Sequence, residues 1–502
     1  MLKHTKIMTS IENFSPTKLI PYSYAKTQGA FVKSATDGVA ELYLREGARL
    51  EALTEVLRVW QGKFTTQQVS SAEYDKLLTE TYAQEGASSA FAEDLENNLD
   101  LSRLIQELPK VEDLLEAEGD APIIRMINAI FTQALREGAS DIHIEPYETK
   151  SVVRFRIDGT LRNIVEPHRA LHVALISRIK VMAQMDIAEK RLPQDGRLTL
   201  KVAGKMVDIR VSTLPTGHGE RIVLRILEKD AKRLNLSRLG MAEKTLQQID
   251  TLVHQPHGIF LVTGPTGSGK TTTLYSAVSR LDANVLNIMT VEDPTEYDLP
   301  HISQTQVNTK IDMSFAKALR SILRQDPDVI MIGEIRDVET AQIAVQSSLT
   351  GHLVLATLHT NDAVSAVTRL VDMGIEPFLL ASSLSGVLAQ RLVRCLCSDC
   401  RVAYAPDNAE LALLKSAHPP KNIYRAVGCT ACGGTGYKGR IGIYELLAID
   451  DEIRRLVHDR NSEQLIRSYA NSKGMLDLRQ DGVRWVESGL TSLEELLTVT
   501  KE

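Results

Sequence analysis

The sequence predicts an α/β protein whose principal domain is a parallel sheet flanked by helices. Three observations carry that expectation. Ile259-Phe-Leu-Val262 is a short apolar run of the kind a strand buried on both faces requires. It leads into the glycine-rich stretch Val262-Thr-Gly-Pro-Thr-Gly-Ser-Gly-Lys-Thr271, after which Leu274, Ala277, Val278 and Leu281 recur at helical spacing. From about Gly240 onward, further apolar runs at 285–291, 329–332 and 353–356 alternate with helical patterns. Each run ends in polar residues, as strands do when their C-terminal ends face a site.

In chain order, residues 1–95 read as a small N-terminal α/β domain. Strand-like runs such as Gly29-Ala-Phe-Val32 precede a helical stripe of Leu50, Leu53, Val56, Leu57 and Trp60. The stretch 85–120 is rich in Ala, Ser, Glu and Asp, and its second part, 96–120, reads as an acidic linker. Residues 121–235 read as an α+β domain. Ile123, Ile124, Ile127, Ile130, Phe131, Ala134 and Leu135 mark an amphipathic helix closed by Gly138. Val153, Phe155 and Ile157 alternate with Arg154, Arg156 and Asp158, and Asp158-Gly159 is a hairpin signal. Val207, Ile209 and Val211 repeat the alternation, and Arg221-Ile-Val-Leu-Arg-Ile-Leu227 is another strand. Residues 240–502 hold the parallel sheet, and Ile453, Leu456, Leu465, Ile466, Leu476 and Leu478 predict short helices at the end.

The glycine stretch predicts nucleotide binding. Gly264, four spacers (Pro265, Thr266, Gly267 and Ser268) and Gly269-Lys270-Thr271 form a complete phosphate loop, with Thr272 in the following turn. Glycines let backbone N–H groups approach the phosphates, and the helix N-terminus adds a favourable dipole. Lys270 is expected to bridge the β- and γ-phosphates of ATP or GTP, and the Thr271 hydroxyl to ligate Mg²⁺. Three other strand ends carry polar clusters: Val291-Glu-Asp-Pro-Thr-Glu296, Gly333-Glu334 and Thr350–Asn361 with His352 and His359. Hydrolysis needs a carboxylate to orient the attacking water, and Glu334 is best placed by sequence. Glu292 and Glu296 are expected to assist with Mg²⁺ or its waters.

The five cysteines all lie between positions 395 and 432. Cys397-Ser-Asp-Cys400 and Cys429-Thr-Ala-Cys432 are two C-x-x-C knuckles, the pattern of a closed tetrahedral zinc site with a structural role. Cys395 stands at poor chelating distance and reads as a spectator. With 43% hydrophobic and 24% charged residues, the composition is that of an ordinary globular protein. A net charge of −6 argues against a nucleic-acid partner. The absence of a long apolar run or an N-terminal apolar core predicts neither a membrane span nor a secretory leader, which makes the cytoplasm the default location.

Jointly, these motifs resemble the secretion ATPases of the type II/type IV pilus superfamily, most of all its type II secretion branch. The phosphate loop, the acidic box Glu292-Asp-Pro-Thr-Glu296, Gly333-Glu334, the box ending at His359 and the cysteine module carry the resemblance. So do Arg-Leu-Pro-Gln-Asp-Gly-Arg197 and Gly-His-Gly-Glu-Arg221 in the preceding domain. The resemblance implies a RecA-like ATPase domain preceded by a PAS-like domain, with an inserted zinc module at 395–435. It also implies a homo-hexamer that drives pseudopilus assembly, with catalytic participation by His359 and with Arg210 and Arg225 reaching the nucleotide phosphates. The opening Leu19-Ile-Pro-Tyr-Ser-Tyr-Ala25 is similar to the start of type II secretion members. It implies docking on an inner-membrane (GspL-like) secretion protein, beside an inner-membrane platform protein, and hence peripheral attachment to that membrane. Pilus assembly is the alternative within the class, and a nucleic-acid translocase the alternative outside it.

Overall fold

The computed structural model describes residues 121–202, 205–227, 235–414 and 420–500, and, of the first 120, residues 25, 28–36, 39–48, 56, 63–71, 73, 74 and 77. Leu50, Leu53, Leu57, Trp60, the acidic linker and all of the opening segment except Ala25 lie outside the described residues. The chain divides into two compact units, 1–156 with 161–226, and 157–160 with 227–502.

The first unit holds two sheets. Strands β1 (Ala30–Thr36), β2 (Val39–Arg45) and β3 (Lys63–Val69) form a three-stranded sheet, antiparallel between β1 and β2 and parallel between β2 and β3. Phe31, Leu42, Val56 and Tyr74 make its core. Helix α1 (Ala121–Arg136) buries Ile127, Ile130, Phe131 and Ala134, and the chain leaves it through Gly138 at φ 67°, a left-handed position that glycine adopts without strain. A six-stranded sheet of order β6-β5-β4-β9-β8-β7 follows. It is built from β4 (Ala139–Pro146), β5 (Ser151–Ile157), β6 (Thr160–Val165), β7 (Gln194–Val202), β8 (Lys205–Thr216) and β9 (Gly219–Leu227), with α2 (Arg169–Met182) between β6 and β7. Val153, Phe155 and Ile157 are buried, and so are Val207, Ile209 and Val211, as their alternation predicts.

The second unit is organised on a seven-stranded sheet of order β12-β11-β13-β14-β10-β15-β18. In chain order its elements begin with α3 (Glu243–Val253), β10 (Gly258–Thr263), α4 (Lys270–Val278), β11 (Ile288–Glu292), β12 (Ser303–Gln306), α5 (Phe315–Ile322), β13 (Val329–Ile332) and α6 (Val338–Leu349). Then come β14 (Leu353–Leu358), α7 (Ala363–Asp372), α8 (Pro377–Ser383), β15 (Leu384–Leu396), β16 (Val402–Tyr404), α9 (Asn408–Leu414), β17 (Ile423–Arg425) and β18 (Tyr437–Ala448). Helices α10 (Asp451–His458), α11 (Glu463–Ser472), α12 (Leu478–Glu487) and α13 (Leu493–Val499) close the chain. Within the seven-stranded sheet all neighbouring strands are parallel except β15 and β18, and β16 and β17 form a separate antiparallel pair. Successive residues of β10 feed opposite cores, Ile259 and Leu261 one, Phe260 and Val262 the other, which is why its sequence is apolar throughout.

Two expectations change. The apolar run at 285–291 becomes a strand only from Ile288, and Val285 is 77% exposed. Asp282 sets a turn there, its backbone oxygen accepting from the N–H groups of Val285 and Leu286 and its carboxylate from that of Asn284. Leu465 and Leu476 are exposed rather than packed, while Ile453, Leu456, Ile466 and Leu478 are buried. Among the described residues, no helix is long and apolar enough to cross a membrane.

Candidate active site

Four neighbouring strands of the second unit end on one edge. The order β11-β13-β14-β10 brings Glu292, Gly333-Glu334, His359 and the glycine loop side by side, because parallel strands in register deliver their C-terminal ends together. Gly269 is the N-cap of α4 at φ 89°, so the backbone amides of its first turn face the loop. Neither Gly264 (φ 148°) nor Gly269 tolerates a side chain. A Cβ at Gly264 would lie 2.4 Å from the Gln390 carbonyl oxygen, and one at Gly269 2.8 Å from its Nε2. Gln390 is itself fixed by the Thr273 hydroxyl, which donates to its Oε1 at 2.7 Å.

Within the loop, Pro265, Thr266 and Gly267 are exposed and Ser268 is buried. The Lys270 ammonium donates to the carbonyls of Gly264 (2.8 Å) and Pro265 (3.0 Å), closing the loop on itself. Burial lowers its pKa to about 8, with Glu334 opposing and Arg391 reinforcing the shift. Thr271, next along α4, is exposed, and Thr272 is half-buried.

The acidic residues divide into two kinds. Glu334 reaches the edge, its Oε1 paired with Arg336 and its Oε2 3.5 Å from His359 Nε2. Arg336 also lies 3.8 Å from Asp293, so the acidic box, the strand-end glutamate and the histidine box meet. Glu292 is 2% exposed, and both its oxygens accept from protein donors: Oε2 from the Tyr275 hydroxyl, Oε1 from Thr290 (2.6 Å) and Gln304 (2.9 Å). Tyr275 also accepts from the backbone N–H of Glu296 at 3.1 Å, so one hydroxyl on α4 pins the loop carrying half-buried Glu296. Its pKa is raised by burial and by the Glu292 carboxylate.

His352 does not belong to this edge. It precedes β14, at the opposite end of the strand from His359, and its Nδ1 lies 2.8 Å from the Ser347 carbonyl oxygen. It is a half-buried histidine satisfied by its own helix terminus. Sequence reasoning also passed over Tyr275, Gln304, Arg336, Gln390 and Arg391. They belong to no phosphate-binding motif and become legible only through the neighbours that the sheet order gives them.

In the first unit, Arg225 on β9 is exposed and its Nε donates to Asp141 Oδ1 at 2.9 Å. Arg210 on β8 is half-buried and lies opposite Arg197 on β7. In the second unit, the sulfurs of Cys397, Cys400, Cys429 and Cys432 all lie within 4.8 Å of one another. Three pairs stand at 3.8–3.9 Å, and four thiolates about 2.3 Å from one tetrahedral zinc would be separated by about 3.8 Å. Burial alone would raise the Cys432 thiol, but the N–H groups of Cys429 and Gly436, each 3.2 Å from its sulfur, hold it at about 6. The Cys395 thiol stands apart from the cluster and is pushed up to about 11 by burial.

Comparison with known proteins agrees with this geometry. The family model described as type II/IV secretion system protein matches residues 116–498, and a model for an N-terminal domain of GSPII protein E matches 19–82. Type II secretion system protein HxcR of Pseudomonas aeruginosa is 60% identical over 96% of this chain and 99% of its own length. Type II secretion system ATPase E of Vibrio cholerae is 50% identical over 99% of this chain and 100% of its own. Among solved structures, the pilus retraction motor PilT with bound ADP matches 74% of this chain and 96% of its own at 27% identity, with a TM-score of 0.50. The ATPase DotB of Legionella pneumophila shares the fold at a TM-score of 0.56 and 21% identity, over 74% of this chain and 94% of its own. A complete phosphate loop flanked by Glu334 and His359, in a chain so similar along its whole length to these relatives, means that the protein belongs to the type II/IV secretion system protein family and is an ATP hydrolase of its type II secretion branch.

Proposed function

We propose that this chain hydrolyses ATP with Mg²⁺ as part of a hexameric ring and uses the released energy to drive pseudopilus assembly during type II secretion. The observation that supports this reading best is the alignment of the glycine loop, Glu334 and His359 on one sheet edge. In that arrangement the amides of the loop and the Lys270 ammonium cradle the β- and γ-phosphates. The Thr271 hydroxyl, with Glu296 through water, is the donor set for Mg²⁺, which when bound neutralises charge on the phosphate oxygens. Glu334 orients and accepts a proton from the attacking water, and His359, within ion-pair distance, helps hold its carboxylate. Glu292, whose oxygens are both committed to protein donors, positions the acidic box rather than meeting the ion. Arg210 and Arg225 supply planar cations to the charge developing on the transferred phosphoryl group.

The cysteine cluster fits zinc in donor chemistry and spacing, and a bound ion would cross-link the two knuckles without an open position for catalysis. The N-terminal domain is the docking element for an inner-membrane secretion protein, and the ring works against an inner-membrane platform protein. No nucleic-acid partner is proposed. The deciding measurement is steady-state hydrolysis with Glu334→Gln, which should retain ATP binding but lose at least about a hundredfold in kcat, the scale of a missing general base. Unchanged turnover would move the water-directed role to another carboxylate, with Glu296 the next candidate.

A further inference from the structure

Strand β15 runs beside the phosphate-loop strand with Ala389 in register with Thr263, the residue before the loop. The next two residues of β15 therefore pass alongside the loop itself. Gln390 points toward α4, where it bonds Thr273 and crowds Gly264 and Gly269. Arg391 engages a different element: its Nη2 donates to the Asn361 carbonyl at 3.2 Å and to Asn361 Oδ1 at 3.0 Å. Asn361 belongs to the turn that follows His359. The preceding residue of that turn, Thr360, is tied back to Thr263 by its backbone N–H (2.9 Å) and its hydroxyl (2.8 Å).

The charge balance around Arg391 is incomplete. Its guanidinium is half-buried and, among the described residues, bonds neutral oxygens of Asn361. The acid that acts on it, Asp362, is already committed to Arg467 at 2.6 Å and to the N-cap of α7. Arg391 and Lys270 repel each other, and Glu334, the carboxylate acting on Lys270, is paired with Arg336. A guanidinium stays charged at every accessible pH, so below about pH 8, where Lys270 is also protonated, this site holds two neighbouring cations with too little negative charge between them. Desolvated cations in that position are stabilised by an arriving anion with several oxygens.

We propose that Arg391 contacts the γ-phosphate of the bound nucleoside triphosphate from within the same chain and signals its presence to the 359–362 turn. This rests on the phosphate-loop reading and adds a catalytic residue to it. When the γ-phosphate is present, the guanidinium divides its donors between phosphate and Asn361; after hydrolysis and phosphate release only Asn361 remains. The turn has a route onward. Asp362 caps α7 and pairs with Arg467 on α11, and Glu445 on β18 accepts from the Ala363 N–H. The C-terminal helices thus share a hydrogen-bonded network with the residue that reads the terminal phosphate.

The opposing view is that Arg391 is only a strut for Asn361. Comparing triphosphate with diphosphate separates the two, because loss of a strut for Asn361 weakens both nucleotides alike whereas loss of a γ-phosphate contact weakens only the triphosphate, and Arg391→Gln removes the charge that such a contact needs. Affinities for a non-hydrolysable ATP analogue and for ADP are measured by calorimetry on the full-length protein, alongside Arg391→Lys and Lys270→Ala. A charge-assisted hydrogen bond corresponds to about tenfold to a hundredfold in affinity, so the analogue should weaken by that factor, ADP should change less than about twofold, and Arg391→Lys should fall between. Equal weakening of analogue and ADP, a loss confined to ADP, or no change in either overturns the proposal. If Arg391→Gln unfolds, the same comparison in Arg391→Lys decides, with selective loss of the analogue required. If Lys270→Ala binds both nucleotides normally, the phosphate-loop reading itself has failed; if Lys270→Ala loses both while the Arg391 variants fail to discriminate, only the Arg391 proposal has.

Discussion

Lys270 sits in an environment far from that of its free side chain. Its ammonium is closed in by the carbonyls of Gly264 and Pro265, and burial brings its pKa from 10.5 to about 8. The lowered value fixes the sign of two pH effects. In the nucleotide-free protein, the unfolded chain holds this proton between pH 8 and 10.5 while the folded chain does not. The burial penalty present below pH 8 is therefore relieved as pH rises through that window. Nucleotide binding has the opposite sign, because phosphates require the ammonium. Affinity for an ATP analogue should fall as pH rises above 8, by up to about tenfold per unit for one linked proton. Binding titrations between pH 7 and 9.5 check this, and a flat profile would show that Lys270 keeps its proton in the free site. Glu334 differs in kind: Lys270→Ala should weaken both binding and turnover, whereas Glu334→Gln should affect turnover alone. A filter-binding assay beside a phosphate-release assay distinguishes the two patterns.

At the scale of elements, the parallel strands were the most legible part of the chain. β10, β13 and β14 are short, apolar and interrupted by helices, and in each case burial on both faces leaves the sequence little choice. The start of β11 is not legible because apolar character alone does not separate a strand from the exposed turn before it, and the turn at Asp282–Leu286 is held by backbone bonds to one aspartate. The glycine loop, Glu334 and His359 could be found by motif. Tyr275, Gln390 and Arg391 could not, since their importance comes from strand order, which no local pattern encodes. The cysteine module lies between these cases: its spacing announces four ligands, while the amides that hold Cys432 near 6 appear only in the fold. Zinc should copurify at about one ion per chain. Cys395→Ser should keep the metal, because that thiol is outside the cluster, and Cys400→Ser should lose it and lower Tm. Elemental analysis of freshly purified protein tests both variants, and absence of zinc from the parent protein would sink the assignment.

For the whole molecule, the central question is which part provides chemistry and which provides address. The type II/IV family model begins at residue 116 and continues through the phosphate loop and the cysteines, whereas a separate N-terminal model ends at residue 82. That division places the phosphate loop and the cysteines in one matched region and the proposed docking element in another. The N-terminal sheet also has its own core of Phe31, Leu42, Val56 and Tyr74. Among the described residues no helix is long and apolar enough to span a bilayer; the membrane attachment proposed above is through a partner protein. Deleting residues 1–95 should therefore leave ATP binding intact, because the phosphate-loop contacts are made within residues 258–392. The same deletion should shift the protein from the membrane fraction to the soluble fraction in cells that contain the inner-membrane partner. Fractionation with and without that partner, read beside nucleotide binding of the truncated chain, separates the two effects. If the shortened chain binds ATP yet still sediments with membranes, docking runs through a surface after residue 95, and the N-terminal domain must have another task.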